Sequence, residues 1–476
     1  MALYRQLAEK CIEDIQSGRL STGDRMLSLR QFSRQHGISV STAVSCYAEL
    51  ESQGWLVARP QAGFFIADQS HVVPTPRWQA FQSRVATPQR RCMSGHGMEG
   101  HRPTAHHTDK CRQDRLWGPL GTAHLALDKV TRQALERSLR RAMKRASHNL
   151  TRYPAAQGDP ALLSALTTHF TRTGFALKDE ELVITHGCMD AVKIALEVCT
   201  RPGDTVAVSS PCYNGLLDLL SQLSLNVIEI PSCTEGIDLD QFEQHLDNGQ
   251  LQAGLFCTTH MNPQGITLTP AQKQRLAYLA NHYRVPVIED DVYLELTHRV
   301  APPLPAAYHD TEGFILWCGS VSKTLSPSYR LGWCRPGRFL AAYLERALGV
   351  PTLIQCAIAD FIDSGAYASH LKRVRHQLTQ LRAFYLNYLS KHLPAGSCVT
   401  QPQGGLVLWV EVPGLDARAL GKAAVQQQLD IRIGPWFTES PRYRDCLRLN
   451  IGLVPDEVIE KELARLMKLI ELHCSV

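Results

Sequence analysis

Apolar residues recur at helical steps through the first 70 positions. Tyr4, Leu7, Cys11 and Ile15 lie three or four residues apart, which predicts an amphipathic helix ending near Ser17-Gly18. Ser28 is placed to cap a second helix carrying Leu29 and Phe32 on one face and stopping at His36-Gly37. Ser39 is placed to cap a third, with Ala43, Val44, Tyr47 and Leu50 inward and Gly54 closing it. Two short helices about the Gly37 turn make a helix-turn-helix pattern. Trp55-Leu56-Val57-Ala58-Arg59 and Gly63-Phe64-Phe65-Ile66 then read as two strands about Pro60-Gln61-Ala62, a wing-like hairpin. Three short helices can equally form an inert bundle.

From position 116 the pattern becomes an alternation of short apolar runs and helical segments. Leu182-Val183-Ile184-Thr185 precedes Gly187 and a helical run from Met189 to Cys199. Thr205-Val206-Ala207-Val208, Val285-Pro286-Val287-Ile288 and Phe314-Ile315-Leu316-Trp317-Cys318-Gly319 are further strand-like runs that end in polar residues. Buried strands separated by helices predict an open α/β sheet, mostly parallel, with ligands at the strand ends.

The chain has 476 residues, 44% hydrophobic and 20% charged, which predicts two or three globular domains and excludes wholesale disorder. No apolar run approaches the ~18 residues of a membrane-spanning helix, and the first residues enter an amphipathic pattern directly. The fifteen cysteines are odd in number and include no C-x-x-C pair, so they read as small core residues in a reducing cytoplasm rather than disulfides or metal ligands.

The formal net charge of +5 is unevenly spread. Residues 1–70 carry seven basic and seven acidic side chains, residues 71–115 eight and three, and residues 116–476 thirty-five of each. The 71–115 stretch holds Pro74, Pro76, Pro88 and Pro103, has no sustained period, and reads as a flexible basic linker. Its five histidines with Cys92 and Cys111 match no zinc-site spacing.

Several residues at the expected strand ends carry chemistry. Lys323, after Ser320-x-Ser322, is suited to a Schiff base with an aldehyde cofactor, and Arg330 with the Ser320 and Ser322 hydroxyls suits a phosphate. The backbone amides of Gly187, Cys188 and Met189 at a helix start favour the same anion. Asp290 can keep a pyridine nitrogen protonated, Asn262 and Tyr293 can hold a phenolic oxygen, and Tyr213 can stack on a ring. Taken singly, each has a plain structural alternative: surface lysine, loop cap, turn or core ring.

Gly23-Asp24-Arg25-Met26-Leu27-Ser28-Leu29-Arg30, Gly37-Ile38-Ser39 with Thr42, Tyr47-x-x-Leu50-Glu51-x-x-Gly54-Trp55 and Arg59-Pro60-x-x-Gly63-Phe64 together resemble the GntR family of winged-helix regulators. The resemblance implies that Arg30 and the recognition helix from Ser39 to Tyr47, with Ser41 and Thr42, face double-stranded DNA, and that the Gly63 wing tip approaches it. Leu27 and Val40 depart from the family's usual Pro and Arg. Residues 116–476 resemble fold-type I, class I/II aminotransferases, most specifically in Ser320-x-Ser322-Lys323 followed by Arg330-x-Gly332.

That second resemblance implies pyridoxal 5'-phosphate bound through Lys323, with Asp290, Tyr213, Asn262, Tyr293, Ser320, Ser322, Arg330 and the Gly187–Met189 amides around it. It also implies a homodimer, with Tyr153 reaching the partner's phosphate, and places a substrate carboxylate on Arg448. The combination resembles the MocR subfamily of bacterial regulators. The function implied is a cytoplasmic, nucleoid-associated regulator that senses an amino compound through aldimine exchange at Lys323; a catalytically active aminotransferase with a secondary DNA-binding module is the alternative. The implied domains are 1–70, a winged helix-turn-helix, the 71–115 linker, and 116–476, the aminotransferase-like part with its smaller C-terminal α/β subdomain.

Overall fold

The computed structural model describes residues 3–52, 55–59, 62–67, 73–76, 78, 80–88, 118–145, 151–233, 236–298 and 302–475. Three helices open the chain: α1 (Leu3–Gln16), α2 (Leu29–Gln35) and α3 (Val40–Ser52). Ser28 accepts the Gln31 N–H while the Gln31 side chain accepts the Ser28 N–H at 3.1 Å, a reciprocal cap that fixes where α2 starts. Ser39 Oγ accepts the Thr42 N–H at 3.1 Å at the head of α3. Strands β1 (Leu56–Arg59) and β2 (Gly63–Ile66) pair antiparallel, with Leu56 opposite Ile66. Gly54 and the tip residues 60 and 61 lie outside the described residues.

Two expectations for α3 are corrected. Val44 is 47% exposed, and Cys46 takes the inward position instead, because Ala43, Cys46, Tyr47 and Leu50 share the face turned to α1 and α2. Tyr47 is inward as its spacing predicts and fully buried, so it does not face DNA as the resemblance implies; its hydroxyl donates to the Leu27 carbonyl at 2.9 Å and its ring meets Phe32 and Phe64 edge-on. It is the centre of this small core.

The stretch expected as a free linker is in part docked. Within it, β3 (Val85–Ala86) pairs antiparallel with β6 (Asn226–Cys233). The Ser83 N–H and hydroxyl both donate to Gln241 Oε1, and the Pro74 carbonyl accepts the Val399 N–H at 2.8 Å. A two-residue edge pairing needs no extended alternation, so no period announces it. Residues 89–117 lie outside the described residues.

The large domain is built on a nine-stranded sheet in the order β3-β6-β5-β8-β9-β10-β11-β4, with β7 (Gly236–Ile237) pairing β6. Strands β5 (Thr205–Ser210), β6, β8 (Ala253–Phe256), β9 (Val287–Asp290) and β10 (Ile315–Ser320) run parallel. β11 (Gly332–Arg335) is antiparallel to both β10 and β4 (Val183–Thr185). Every residue of β5, β8, β9 and β10 is buried, as a sheet covered on both faces requires. The 27-residue helix Ala366–His392 leads to a smaller antiparallel sheet, ordered β12 (Cys398–Val399), β13 (Val407–Glu411), β15 (Cys446–Asn450), β14 (Arg432–Ile433). The helix Glu457–Leu472 buries Ile459, Leu463, Leu466 and Ile470 in the core of this subdomain.

Candidate functional site

β9 and β10 are parallel neighbours with Asp290 opposite Cys318, so Asp290 and the residues after Ser320 leave the sheet on the same edge. A cavity of about 530 Å³ opens there, bounded on the other side by β15 and the Gly121–His124 segment. Lys323 lines it and is half-buried. Its Nζ donates to the Ala123 carbonyl at 2.7 Å and stands 6.0 Å above the Tyr293 ring. Burial lowers its pKa to about 8, helped by the Arg448 charge and opposed by Asp290.

Asp290 is 6% exposed and accepts the Cys188 thiol at 3.1 Å. Burial raises its pKa, with the Cys188 thiol, the Val292 N–H and Lys323 pulling the other way. The Cys188 side chain therefore has a use beyond its backbone amide. Asn262 Nδ2 donates to the Tyr293 hydroxyl at 3.4 Å, and Asn262 Oδ1 accepts Arg448 Nη1 at 3.1 Å. Tyr213 lines the cavity at the head of the helix Asn214–Gln222. Its ring lies so close to Gly215 that a Cβ there would fall 2.6 Å from it, so only glycine fits.

The helix α5 (Cys188–Cys199), which follows β4 in the fold, starts from Gly187 at φ +91, next to Arg330. Arg330 donates to the His186 carbonyl at 2.9 Å, and a Cβ on Gly187 would stand 3.3 Å from its guanidinium. Ser320 and Ser322 hydroxyls are 2.7 Å apart beside this helix start. Two hydroxyls, a guanidinium and the unsatisfied first-turn amides of a helix form an anion cradle.

Arg448 is 3% exposed on β15. Its Nη2 donates to the Gly121 carbonyl, and its Nε has no hydrogen-bond partner among the described residues. Burial lowers its pKa. The expected residues Gly187, Cys188, Met189, Tyr213, Asn262, Asp290, Tyr293, Ser320, Ser322, Lys323, Arg330 and Arg448 are thus brought to one region. Tyr153 is not: it is fully exposed.

Sequence reasoning missed the Gly118–His124 segment and its clasp. Asp430, 2% exposed, accepts the Gly118 N–H at 3.0 Å and the Thr122 hydroxyl at 3.2 Å, and pairs with Arg432. Asn450 holds the Leu120 and Pro119 carbonyls at 2.7 Å and 2.9 Å. Only the Gly118 and Gly121 pair hinted at it: a Cβ on either would fall within 2.7 Å of Asp430.

In the N-terminal unit, Arg30, Ser39 and Ser41 are exposed and Thr42 is half-buried. Gly63 is exposed at φ +102, beside the Arg25 side chain, a neighbour that sequence reasoning did not assign.

Residues 3–66 match the family described as bacterial regulatory proteins, gntR family, and residues 119–466 match aminotransferase class I and II. The chain is 32% identical to an uncharacterized HTH-type transcriptional regulator, YdcR, of Escherichia coli, over 99% of each. The chain belongs to the MocR-type GntR regulators. It is also 24% identical to the probable rhizopine catabolism regulatory protein MocR of Rhizobium meliloti, over 96% of this chain and 92% of that one. The fold of the larger part of this MocR-type chain is that of fold-type I aminotransferases. A multiple substrate aminotransferase from Thermococcus profundus superposes with a TM-score of 0.69, at 22% identity, over 78% of this chain and 96% of its own. No described helix of this MocR-type chain is long and apolar enough to cross a membrane.

Proposed function

We propose that this chain is a homodimeric, pyridoxal 5'-phosphate-dependent transcription regulator. In this reading it binds double-stranded DNA through its N-terminal unit and responds to a small amino compound at Lys323. The observation that carries it is the Lys323 amine in one cavity with Asp290, Arg330 and Arg448, on a chain that opens with a gntR-family unit. The residues fit the cofactor on their own chemistry: a lysine whose pKa is lowered to about 8, a buried carboxylate, an anion cradle, and an arginine whose Nε has no partner among the described residues.

When bound, the cofactor supplies an aldehyde that condenses with amines and a pyridine ring that accepts electrons. Asp290 would hold a proton at the ring nitrogen, Tyr213 would stack, and Asn262 and Tyr293 would meet the phenolic oxygen. Ser320, Ser322, Arg330 and the Gly187, Cys188 and Met189 amides would bind the phosphate, joined by Tyr153 of one subunit at the other subunit's site. The full exposure of the Tyr153 ring supports that dimer role. Lys323 takes and returns a proton at Nζ, and Arg448 binds a ligand carboxylate.

Arg30, Ser39, Ser41, Thr42 and Gly63 meet DNA in this reading. Residues 1–70 read the operator, 116–476 sense the ligand, and 71–115 join them, with part of that join docked. The protein works in the bacterial cytoplasm, on the nucleoid when DNA-bound. A second reading, turnover as an aminotransferase, is favoured by the Lys323 pKa near 8, which suits an acid/base at neutral pH.

The test is the absorption spectrum of the purified protein with a panel of amino acids and amines, followed alongside keto-acid formation. A stoichiometric spectral change without turnover supports sensing, and sustained keto-acid production selects the aminotransferase. Lys323→Ala removes the cofactor band, and Arg30→Ala leaves it while weakening DNA binding. A normal band in Lys323→Ala, or none in the wild type, refutes the cofactor site.

A further inference from the structure

The zero net charge of residues 116–476 conceals a concentrated exception. The helix α4 (Lys129–Arg145), in the chain between α3 and α5, carries seven basic residues against the single acid Glu136. Thr131, Leu135, Ser138 and Ala142 form its buried stripe, seated on the helix Thr352–Asp363. Arg141 and Arg145 lean to one side onto Asp360, at 2.5 Å and 3.3 Å. Lys129, Arg132, Arg137 and Arg140 are exposed on the opposite face and make no ion pair among the described residues. At 100° per residue they fall within a wedge of about 140°, and at 1.5 Å per residue they extend over about 16 Å.

Several of these placements do nothing for the helix itself. Lys129 and Arg132 sit at the start of the helix, where the dipole disfavours cations, although the Asp128 carboxylate caps the Thr131 N–H there. The spacings Lys129 to Arg132 and Arg137 to Arg140 juxtapose like charges, each costing about 0.2–0.5 kcal/mol. Glu136, exposed on the same face four residues from both Arg132 and Arg140, offsets part of this and leaves the face at a net +3. An anionic partner accounts for the pattern. A duplex is the anion this chain already brings close, and its backbone carries one charge per about 1.7 Å of axis.

We propose that the exposed face of α4 is a second DNA surface, binding backbone phosphates of the duplex held by the winged helix. This rests on the DNA-binding reading above. Base sequence is not read there; the face adds affinity and orients the sensing domain on the duplex.

The experiment uses the full, cofactor-loaded chain and a labelled random-sequence duplex of about 60 bp, with affinity followed by anisotropy from about 50 to 200 mM salt. The variant Arg132→Gln/Arg137→Gln/Arg140→Gln flattens the slope of log affinity against log salt by about 2.7, at about 0.9 per phosphate. Over that salt range the wild type then loses about 40-fold more affinity than the variant. The matching triple Lys variant keeps the wild-type slope. An unchanged slope in the Gln variant, with DNA binding intact, overturns the proposal. So does a Gln variant that elutes as a monomer where the wild type is a dimer, since the face would then be a subunit contact. Absence of any salt-dependent DNA binding by the wild type removes the DNA-binding reading itself.

Discussion

Replacing Arg448 with methionine isolates the carboxylate end of the site. Arg448 is 3% exposed and, among the described residues, its guanidinium is held by neutral acceptors, Asn262 Oδ1 at 3.1 Å and the Gly121 carbonyl, with no partner for Nε. A buried charge without an acid partner carries a desolvation cost that methionine removes, so Arg448→Met keeps the fold. For a ligand carboxylate the sign is opposite. Truncating one partner of a buried charged pair costs about 2–5 kcal/mol. The carboxylate would compete with the two neutral acceptors already present, which sets the effect at the low end, about 2 kcal/mol or roughly 30-fold. The assay titrates the cofactor band with L-alanine and with ethylamine, which share an amine and differ in the carboxylate. The wild type is expected to prefer L-alanine by about 30-fold over ethylamine, and the variant to bind the two alike. Arg448 also helps depress the Lys323 pKa, so the variant moves that pKa up from about 8. A variant with the wild-type preference and an unmoved Lys323 titration refutes the role given to Arg448.

The remaining predictions concern Lys323 and Asp430 of the same cavity, His169 elsewhere in the large domain, and Tyr47 in the N-terminal unit. With its pKa near 8, Lys323 is neutral in about one molecule in ten at pH 7, against roughly one in three thousand for an ordinary lysine. The rate at which apoprotein takes up pyridoxal 5'-phosphate therefore levels off above pH 8 and falls about tenfold per unit below pH 7; a plateau starting near pH 10 contradicts this. His169 pairs with Glu295 at 2.6 Å, and the pair raises the His169 pKa despite burial. Its contribution to stability is full below about pH 6.5 and is lost as pH rises through the raised value, so melting curves of the wild type and His169→Gln converge at high pH. Asp430→Asn weakens the hold on the Gly118 N–H and the Thr122 hydroxyl and lowers stability by about 1–3 kcal/mol, read from denaturant midpoints. Tyr47→Phe loses the bond to the Leu27 carbonyl, about 1 kcal/mol, without changing DNA affinity at temperatures where both proteins are folded.

The sheet and most of the site were legible because strands ending in polar residues carry their own signal. Asp290 closes β9 and Ser320 closes β10, and the parallel register of those two strands brings both to one edge. Caps were legible for the same local reason, as at Ser28. What sequence reading lost was orientation and long-range pairing. Val44, expected inward, gives way to Cys46 on a helix only thirteen residues long, where periodicity alone does not fix which of two nearby positions meets the core, whereas Tyr47 is inward as its spacing predicts. The docked strand β3 spans two residues, and its partner β6 lies some 140 positions away, beyond any local pattern. Asp430 and Asn450 act on backbone carbonyls and amides of Gly118–Thr122, and backbone partners leave no trace in side-chain spacing.

The anchored stretches on either side of residues 89–117 bear on how a ligand reaches the DNA-binding unit. On the N-terminal side, Pro74 is bonded to Val399 of the small sheet and Val85-Ala86 to β6 of the large one. Trp78 packs against the cluster of Trp409, Phe437 and Cys446, and the Arg448 guanidinium lies 5.5 Å from the centre of the Phe437 ring. On the C-terminal side, Gly121 and Ala123 present their carbonyls to Arg448 and Lys323. The two cations proposed to engage cofactor and ligand thus touch one flank directly, and Arg448 borders the cluster on which the other flank packs. Allosteric coupling of about 1–3 kcal/mol changes affinity by 5- to 150-fold, and one or two hydrogen bonds made in one arrangement and broken in the other suffice for that. A ligand that takes Nη2 of Arg448 away from Gly121 makes that difference at the flank itself, without moving the large sheet.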